Sequence, residues 1–338
     1  MEQNWRIGRR KMIQGTGVLL AALYAPTRNA MAAQRPRLRV IIDNDFSGDP
    51  DGLFQLAHHV LCPSVEIPFV IGSHIHVDDF LDGTRTQADN AVRRAQQLFA
   101  AMELPSPPQL LAGRNEAPRP SSEATASAAT ERIISEALRT DTDLPLVYAA
   151  GAGLTELAQA IRLEPVIGER IRLVWIGGNE WPQDTEKALI KSHQEYNLTI
   201  DLAGARTIFN DSKVEIWQVP RDVYRQMIVP MSELHARLSS GGKIGEFLLG
   251  ALDEIRHRWP DHMGETYILG DSPLVTLTAL MSSFEPDSSS SAYTVVPTPK
   301  LLENGSYAAD QTGRPMRLYR SIDAPLTLSD FFAKLATL

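Results

Sequence analysis

A short apolar run, Val40-Ile41-Ile42, empties into a loop that holds four aspartates, Asp43, Asp45, Asp49 and Asp51, within nine positions. An apolar stretch with helical character, residues 53–61, follows at once. Strand, loop and helix in that order form the unit from which parallel sheets are built. In open sheets of that kind, ligands bind beyond the carboxyl ends of the strands, which is where this loop falls. Four carboxylates crowded there repel one another unless a positive charge sits among them. A hard divalent cation such as Ca²⁺ meets that need, because it gathers carboxylate, carbonyl and water oxygens around itself. The competing reading is a solvated turn, since Asp, Gly, Pro and Ser all favour turns.

The N-terminus speaks to the compartment. Arg9-Arg10-Lys11 precedes the apolar run Val18-Leu19-Leu20-Ala21-Ala22-Leu23, and Ala30-Met31-Ala32 then offers small residues at an A-x-A spacing. A basic start, a short apolar middle and a cleavage site make a twin-arginine-type export signal over residues 1–33. Its apolar stretch is too short to span a bilayer. The expectation is an exported chain, periplasmic or secreted, that leaves the membrane once the signal is cleaved. Such a chain often gains stability from disulfides, but this one has a single cysteine, Cys62, and cannot form one internally. Cys62 reads as a small buried apolar residue.

Roughly 300 residues remain after the signal, read as a single domain over 34–338. The net charge of −8 argues against nucleic acid as a partner. Strand-like runs at 37–43, 65–71, 144–149, 171–176 and 214–219 alternate with helix-like runs at 85–102, 124–138, 154–161 and 203–209. Leu154, Leu157, Ala158 and Ile161 fall on one face of a helix. Alternation of this kind predicts an α/β fold, a mostly parallel open sheet with helices on both faces. Residues 105–129, rich in Pro, Ser and Ala, read as an exposed connection or lid, and 287–291 as a second polar loop. Trp175 and Trp217 sit inside strand-like runs and read as core. Residues 326–338 read as a packing helix with Phe331, Phe332 and Leu335 on one face.

Five pieces in order resemble the inosine-uridine-preferring nucleoside hydrolases, which are Ca²⁺-dependent N-ribosidases. They are Asp43-Asn44-Asp45 with Asp49 and Asp51; Gly151-Ala152-Gly153-Leu154-Thr155 after a strand; Gly177-Gly178 after the next; Glu195-Tyr196-Asn197 with Asp201; and Asp271-Ser272-Pro273-Leu274. The resemblance covers most of the chain beyond the signal. It implies a nucleoside-hydrolase-like fold and hydrolysis of the N-glycosidic bond of a ribonucleoside or related riboside. It implies a Ca²⁺ ion held by Asp45, Asp49 or Asp51, Asp271 and the carbonyl near Gly151. Asp45 would take the proton of a metal-bound water. Glu195 and Asn197 would grip ribose hydroxyls, and the family tends to form dimers and tetramers.

The chain also departs from the family pattern. Gly52 stands where members carry a second adjacent aspartate, with Asp49 as a substitute, and Gly270 stands where many carry a histidine that assists the leaving base. His74, His76, Asn179, Glu180 and Trp181 are the candidates to enter the pocket instead, and residues 178–194 read as a remodelled base-binding wall. Two alternatives stand beside this reading. A non-catalytic sugar- or nucleoside-binding protein would explain Gly52 and Gly270. A haloacid-dehalogenase-like Mg²⁺ phosphatase would use Asp43 and Asp45 as nucleophile and acid, with Ser47 on the phosphate. Against the phosphatase, Val275 stands where a further carboxylate is expected.

Overall fold

β1 (Leu38–Asn44) is the central strand and carries the sheet register. Its side chains alternate between two cores. Val40 and Ile42 pack with Leu53, Phe54 and Leu56, whereas Ile41 packs with Tyr148, Leu154 and Leu157. A slip of one residue would exchange these faces, so burial on both sides locks the strand in place. The lock also decides the loop chemistry, because it sends Asp43 toward one core and Asn44 toward the other.

The computed structural model describes residues 35–119, 122–181, 194–260, 263–281 and 290–337; the segment read as an export signal lies outside them. The strands that follow are β2 (Val65–Glu66), β3 (Phe69–Gly72), β4 (Gln109–Ala112), β5 (Leu146–Ala150), β6 (Ile171–Ile176), β7 (Glu215–Val219), β8 (Ile228–Pro230), β9 (Thr266–Ile268), β10 (Ala292–Pro297), β11 (Lys300–Leu301), β12 (Tyr307–Ala308) and β13 (Pro315–Ser321). The helices are α1 (Asp51–Val60), α2 (Gln87–Ala101), α3 (Ala128–Ala137), α4 (Thr155–Leu163), α5 (Tyr196–Ile200), α6 (Leu202–Asp211), α7 (Arg221–Tyr224), α8 (Met231–Leu238), α9 (Gly242–Arg258), α10 (Pro273–Thr276) and α11 (Ala324–Leu335).

The main sheet has nine strands in the order β10-β13-β7-β6-β5-β1-β3-β4, with β2 paired to β1. Every pairing is parallel except β10 with β13. The α/β expectation therefore describes the molecule. From β1 the chain winds outward to β3 and β4, then returns to the other side of β1 to begin β5. That reversal opens a crevice between the carboxyl ends of β1 and β5, the switch point at which such sheets bind ligands.

The expected strands and helices occur at their positions, with differences that have local causes. The run at 65–71 divides into β2 and β3 around Pro68, which has no N–H to give a ladder. α3 starts at Ala128 rather than 124, because the Ser127 side chain accepts from the Thr130 N–H and caps it there. The stretch 105–129 is not simply a connection or lid: it contributes β4, which pairs with β3. Trp175 and Trp217 are core residues. α11 places Phe331, Phe332 and Leu335 in the core, as its spacing predicts. Among the described residues, no helix is long and apolar enough to cross a membrane.

Polar tethers fasten the layers to the sheet. The Arg39 guanidinium lies 2.6 Å from the Glu136 carboxylate of α3, and both are buried. Arg132 and Arg139 each reach the same carboxylate at 2.9 Å. Burial pushes Glu136 up, but the bonds from Arg39 and Arg139 outweigh it and hold the carboxyl below its ordinary range. The stability this cluster contributes is present at neutral pH and is lost as pH falls through that lowered value. Glu136→Ala would leave Arg39 buried without its partner, and we expect a loss of about 3–5 kcal/mol. Urea unfolding at pH 7 measures it; a loss under about 1 kcal/mol would mean Arg39 finds another acceptor.

Candidate active site

Beyond Asn44, β1 loses its ladder and the chain bends into the acidic loop. The Asp45 N–H donates to Asn44 Oδ1 at 2.8 Å, and the Gly48 N–H donates to the Asp45 carbonyl at 2.7 Å, so the turn is closed by its own backbone. Asp51 opens α1 and Asp271 precedes α10. These carboxylates converge on a cavity of about 270 Å³ lined by Asp45, Asp49, Asp51, Asp271, Glu195 and Asn197, together with the Gly151 and Gly270 backbone. Its remaining wall includes Ile75, Phe80, Leu81, Ile176, Tyr196 and Tyr224. One side of the cavity is thus acidic, and the other is mostly apolar and aromatic with Asp79 among its residues.

The acidic side is held by donors from distant parts of the chain. Asn44 Nδ2 donates to Asp271 Oδ2 at 2.9 Å and to Gln55 Oε1 at 3.2 Å. The Asp271 N–H donates to Asp51 Oδ2 at 3.1 Å, and the Tyr267 hydroxyl donates to Asp49. Behind Asn44, the Gln55 side-chain amide donates to His59 Nδ1, and His59 Nε2 lies 2.8 Å from Thr278 Oγ1. This buried polar row joins the cavity floor to the body of α1.

Two glycines are required by these approaches. A Cβ on Gly151 would stand 2.4 Å from Asn44 Nδ2 and 2.8 Å from Asp271 Cγ. A Cβ on Gly52 would stand 2.9 Å from the Asn44 carboxamide. The space of the aspartate missing at position 52 is therefore filled by Asn44. At Gly270 an added Cβ would lie 3.1 Å from Asp51 Oδ2 and 3.2 Å from the Tyr224 ring, so Tyr224 crowds the place of the missing histidine.

Burial without a countercharge raises these acids. Asp271 is pushed to about 7, chiefly by burial, with the Asn44 amide opposing the rise. Asp45 is raised well above the carboxylate range by burial, then by Asp271 and Asp49. Asp51 is raised likewise by burial and by Asp271. Among the described residues, no Lys or Arg lines the cavity. A set of lining oxygen donors without a described cationic side chain fits a hard divalent cation, with Asp45, Asp49, Asp51, Asp271 and Gly151 as the candidate donors.

Glu195 and Asn197 flank that set. Glu195 caps α5 and accepts from four donors: the N–H groups of Gly178 (2.8 Å), Leu198 (2.8 Å) and Asn197 (3.1 Å), and the Tyr224 hydroxyl (3.1 Å). Asn197 Nδ2 donates to the carbonyls of Ile176 at 2.9 Å and Gly151 at 3.2 Å.

Other expected side chains are placed elsewhere. Asn179 accepts from the Glu195 N–H at 2.7 Å and donates to the Gly305 carbonyl at 3.0 Å, so it supports Glu195 from behind and does not line the cavity. Glu180 forms a buried ion pair with Arg221 at 2.6 Å, and the Trp181 indole donates to Gln218 Oε1 at 3.1 Å. Residues 182–193 of the expected base-binding wall lie outside the described residues. His74 is buried against the Ile75 carbonyl and, at 3.2 Å, Thr155 Oγ1. His76 packs its ring edge-on against Tyr196, with centroids 4.8 Å apart. Asp43 points away from the cavity, accepting from the Ser73 and Tyr148 hydroxyls. Burial pushes it to about 7 despite those bonds. A nucleophile cannot work from that position, which removes the basis of the phosphatase reading.

The residues that sequence reasoning overlooked are Asn44, Tyr224 and the 75–81 loop. Tyr196 and Asp79 belong with them, the Tyr196 hydroxyl donating to Asp79 at 2.7 Å. Tyr224 follows no motif at all, and only the fold brings it beneath Gly270.

Solved structures share this architecture. A plant nucleoside hydrolase superposes with a TM-score of 0.64 at 16% identity, covering 90% of this chain and 100% of its own. The inosine-uridine preferring nucleoside hydrolase from Bacillus anthracis gives 0.62 at 15%, covering 89% and 100%. A purine-preferring ribonucleoside hydrolase from Gardnerella vaginalis gives 0.62 at 18%, covering 88% and 98%. No curated protein sequence matches the chain. The sequence does match one family across residues 40–326, a span holding every carboxylate of the cavity, and on that match the chain belongs to the inosine-uridine preferring nucleoside hydrolases, hydrolases that act on nucleosides.

Proposed function

We propose that the chain hydrolyses the N-glycosidic bond of a ribonucleoside or closely related riboside, with Ca²⁺ at the acidic end of the cavity. The observation that carries this reading is the gathering of Asp45, Asp49, Asp51 and Asp271 beside Glu195 and Asn197, with no cationic side chain among the described lining residues. Bound Ca²⁺ would supply the missing positive charge and acidify a water at the site. Asp45 is the general base, taking a proton from the attacking water as the bond to the leaving group breaks. Positive charge develops on the sugar, as in glycoside hydrolysis generally. Asn44 and Gln55 keep Asp271 oriented throughout. Glu195 and Asn197 bind ribose hydroxyls, and the Tyr224 hydroxyl holds the acceptor position that a sugar hydroxyl takes on binding. Asn179 and His74 act behind this layer, the former by fixing Glu195.

The apolar wall of Ile75, Phe80 and Leu81 receives the leaving group. With Tyr224 packed beneath Gly270, no histidine among the described residues stands there to protonate it. The natural substrate therefore carries a leaving group that departs readily as it stands, or one that draws its proton from Tyr196 or from solvent. A homodimer or homotetramer, and export directed by residues 1–33, belong to the same proposal and rest on the family resemblance and the N-terminal sequence. The non-catalytic alternative has one observation behind it, the replacement of functional side chains at Gly52 and Gly270.

Ribose release from a nucleoside panel by the mature protein, with Ca²⁺ or with a chelator, tests the reading. We expect chelation to remove turnover by at least about 100-fold and added Ca²⁺ to restore it. Release with none of the substrates, while calorimetry still shows Ca²⁺ binding, would favour a binding protein. Asp45→Ala should lower kcat by about 10³-fold, and near-unchanged kcat would remove Asp45 as the base. Asp271→Asn and Gly151→Ala, which strike the same Asn44–Asp271 contact from two sides, should each weaken calorimetric Ca²⁺ affinity by roughly 10-fold or more. An unchanged affinity in both would place the cation elsewhere. A riboside with an activated leaving group should be cleaved at least about 10-fold faster than inosine, and equal rates would mean an unidentified acid serves the leaving base.

A further inference from the structure

At the far end of α1 from Asp51, four ionisable side chains meet against α11. His58 Nε2 lies 2.7 Å from Asp330 Oδ2, Lys334 Nζ lies 3.2 Å from Cys62 Sγ, and the Lys334 ammonium also donates to Asp330. His58 and Cys62 are four residues apart and share one face across the helix end, where the Cys62 N–H donates to the His59 carbonyl and continues the turn. Asp330 and Lys334 stand one turn apart on α11. The imidazole nitrogen, the sulfur and the carboxylate oxygen all lie within 4.8 Å of one another.

The surroundings make this grouping costly. His58 and Cys62 are buried, and the Phe331 ring packs 5.2 Å from the imidazole. Apolar side chains of similar volume would join two helices at least as well, because ion pairs removed from water recover little more than their desolvation. A nitrogen, a sulfur and a carboxylate oxygen this close together form the donor set of a zinc-type site. The cavity at the other end of α1 offers only oxygen donors, so the two places suit different metals.

We propose that His58, Cys62 and Asp330 form a second metal site, for a thiophilic divalent cation such as Zn²⁺, with the Lys334 ammonium standing in for the cation when none is bound. On binding, Cys62 gives up its proton, Lys334 turns out to solvent and the metal clamps α11 to α1. A water completes the coordination.

Co²⁺ titration of the Ca²⁺-loaded protein tests this directly. A thiolate-to-cobalt charge-transfer band can arise only at Cys62, since the chain has no other cysteine. Co²⁺ among the aspartates is silent in that band. The expected result is a band that saturates at one equivalent, is displaced by Zn²⁺, and disappears in Cys62→Ser. His58→Gln should weaken the binding at least about 10-fold, and Lys334→Met, which removes the competing ammonium, should tighten it by a similar factor. Lys334→Met also keeps the test open if Cys62→Ser fails to fold. No band in the native protein, or a band seen only in Lys334→Met, would overturn the proposal.

Discussion

Mutual repulsion among carboxylates held out of water is the constraint on which the rest of this structure depends. Two such charges about 4 Å apart repel by roughly 4 kcal/mol at an effective dielectric near 20. Among the described residues, Asp51 and Asp271 are held by neutral donors: the Asn44 amide on Asp271, and the Asp271 N–H on Asp51. Those donors orient the acids without neutralising them, and the rise in Asp45 and Asp271 follows. The arrangement is unfavourable in isolation, and a divalent cation among the acids would relieve it.

That cluster exists because of where β1 lies. The crossover from β4 back to β5 leaves a gap beside the central strand, and the loops after β1 and β5 both empty into it. The Gly151 N–H continues the ladder to the Asp43 carbonyl at 2.9 Å, which draws the second loop against the first. Only a residue without a Cβ can come so close to Asn44. The acidic end of the cavity is thus built from backbone proximity, and its tolerance for substitution is set by the packing of Asn44.

The opposite end follows another logic, its wall made from Ile75, Phe80, Leu81, Tyr196 and Tyr224. Of the side chains expected to enter the pocket, Glu180, Trp181 and His74 are engaged with Arg221, Gln218 and Thr155, whereas His76 packs on Tyr196 of the wall. Tyr224 connects the two ends, touching Gly270 with its ring while its hydroxyl meets Glu195. The acidic end of the cavity and its apolar wall are therefore physically linked through one side chain.

The sequence by itself determined the alternation of strands and helices, the acidic loop at a strand end and the order of the five pieces around it. These are local properties: periodicity, turn chemistry and spacing act over a few residues, so they can be read along the chain. Which carboxylate faces the cavity was decided only by the tertiary structure. Asp43 and Asp45 differ by two positions, yet Asp43 is taken by Ser73 and Tyr148 while Asp45 turns toward Asp271. The same holds for Asn179, drawn away by Gly305, and for Asn44, which fills the space left by Gly52. A loop residue points toward its best hydrogen-bond partner, and those partners lie tens to hundreds of positions away.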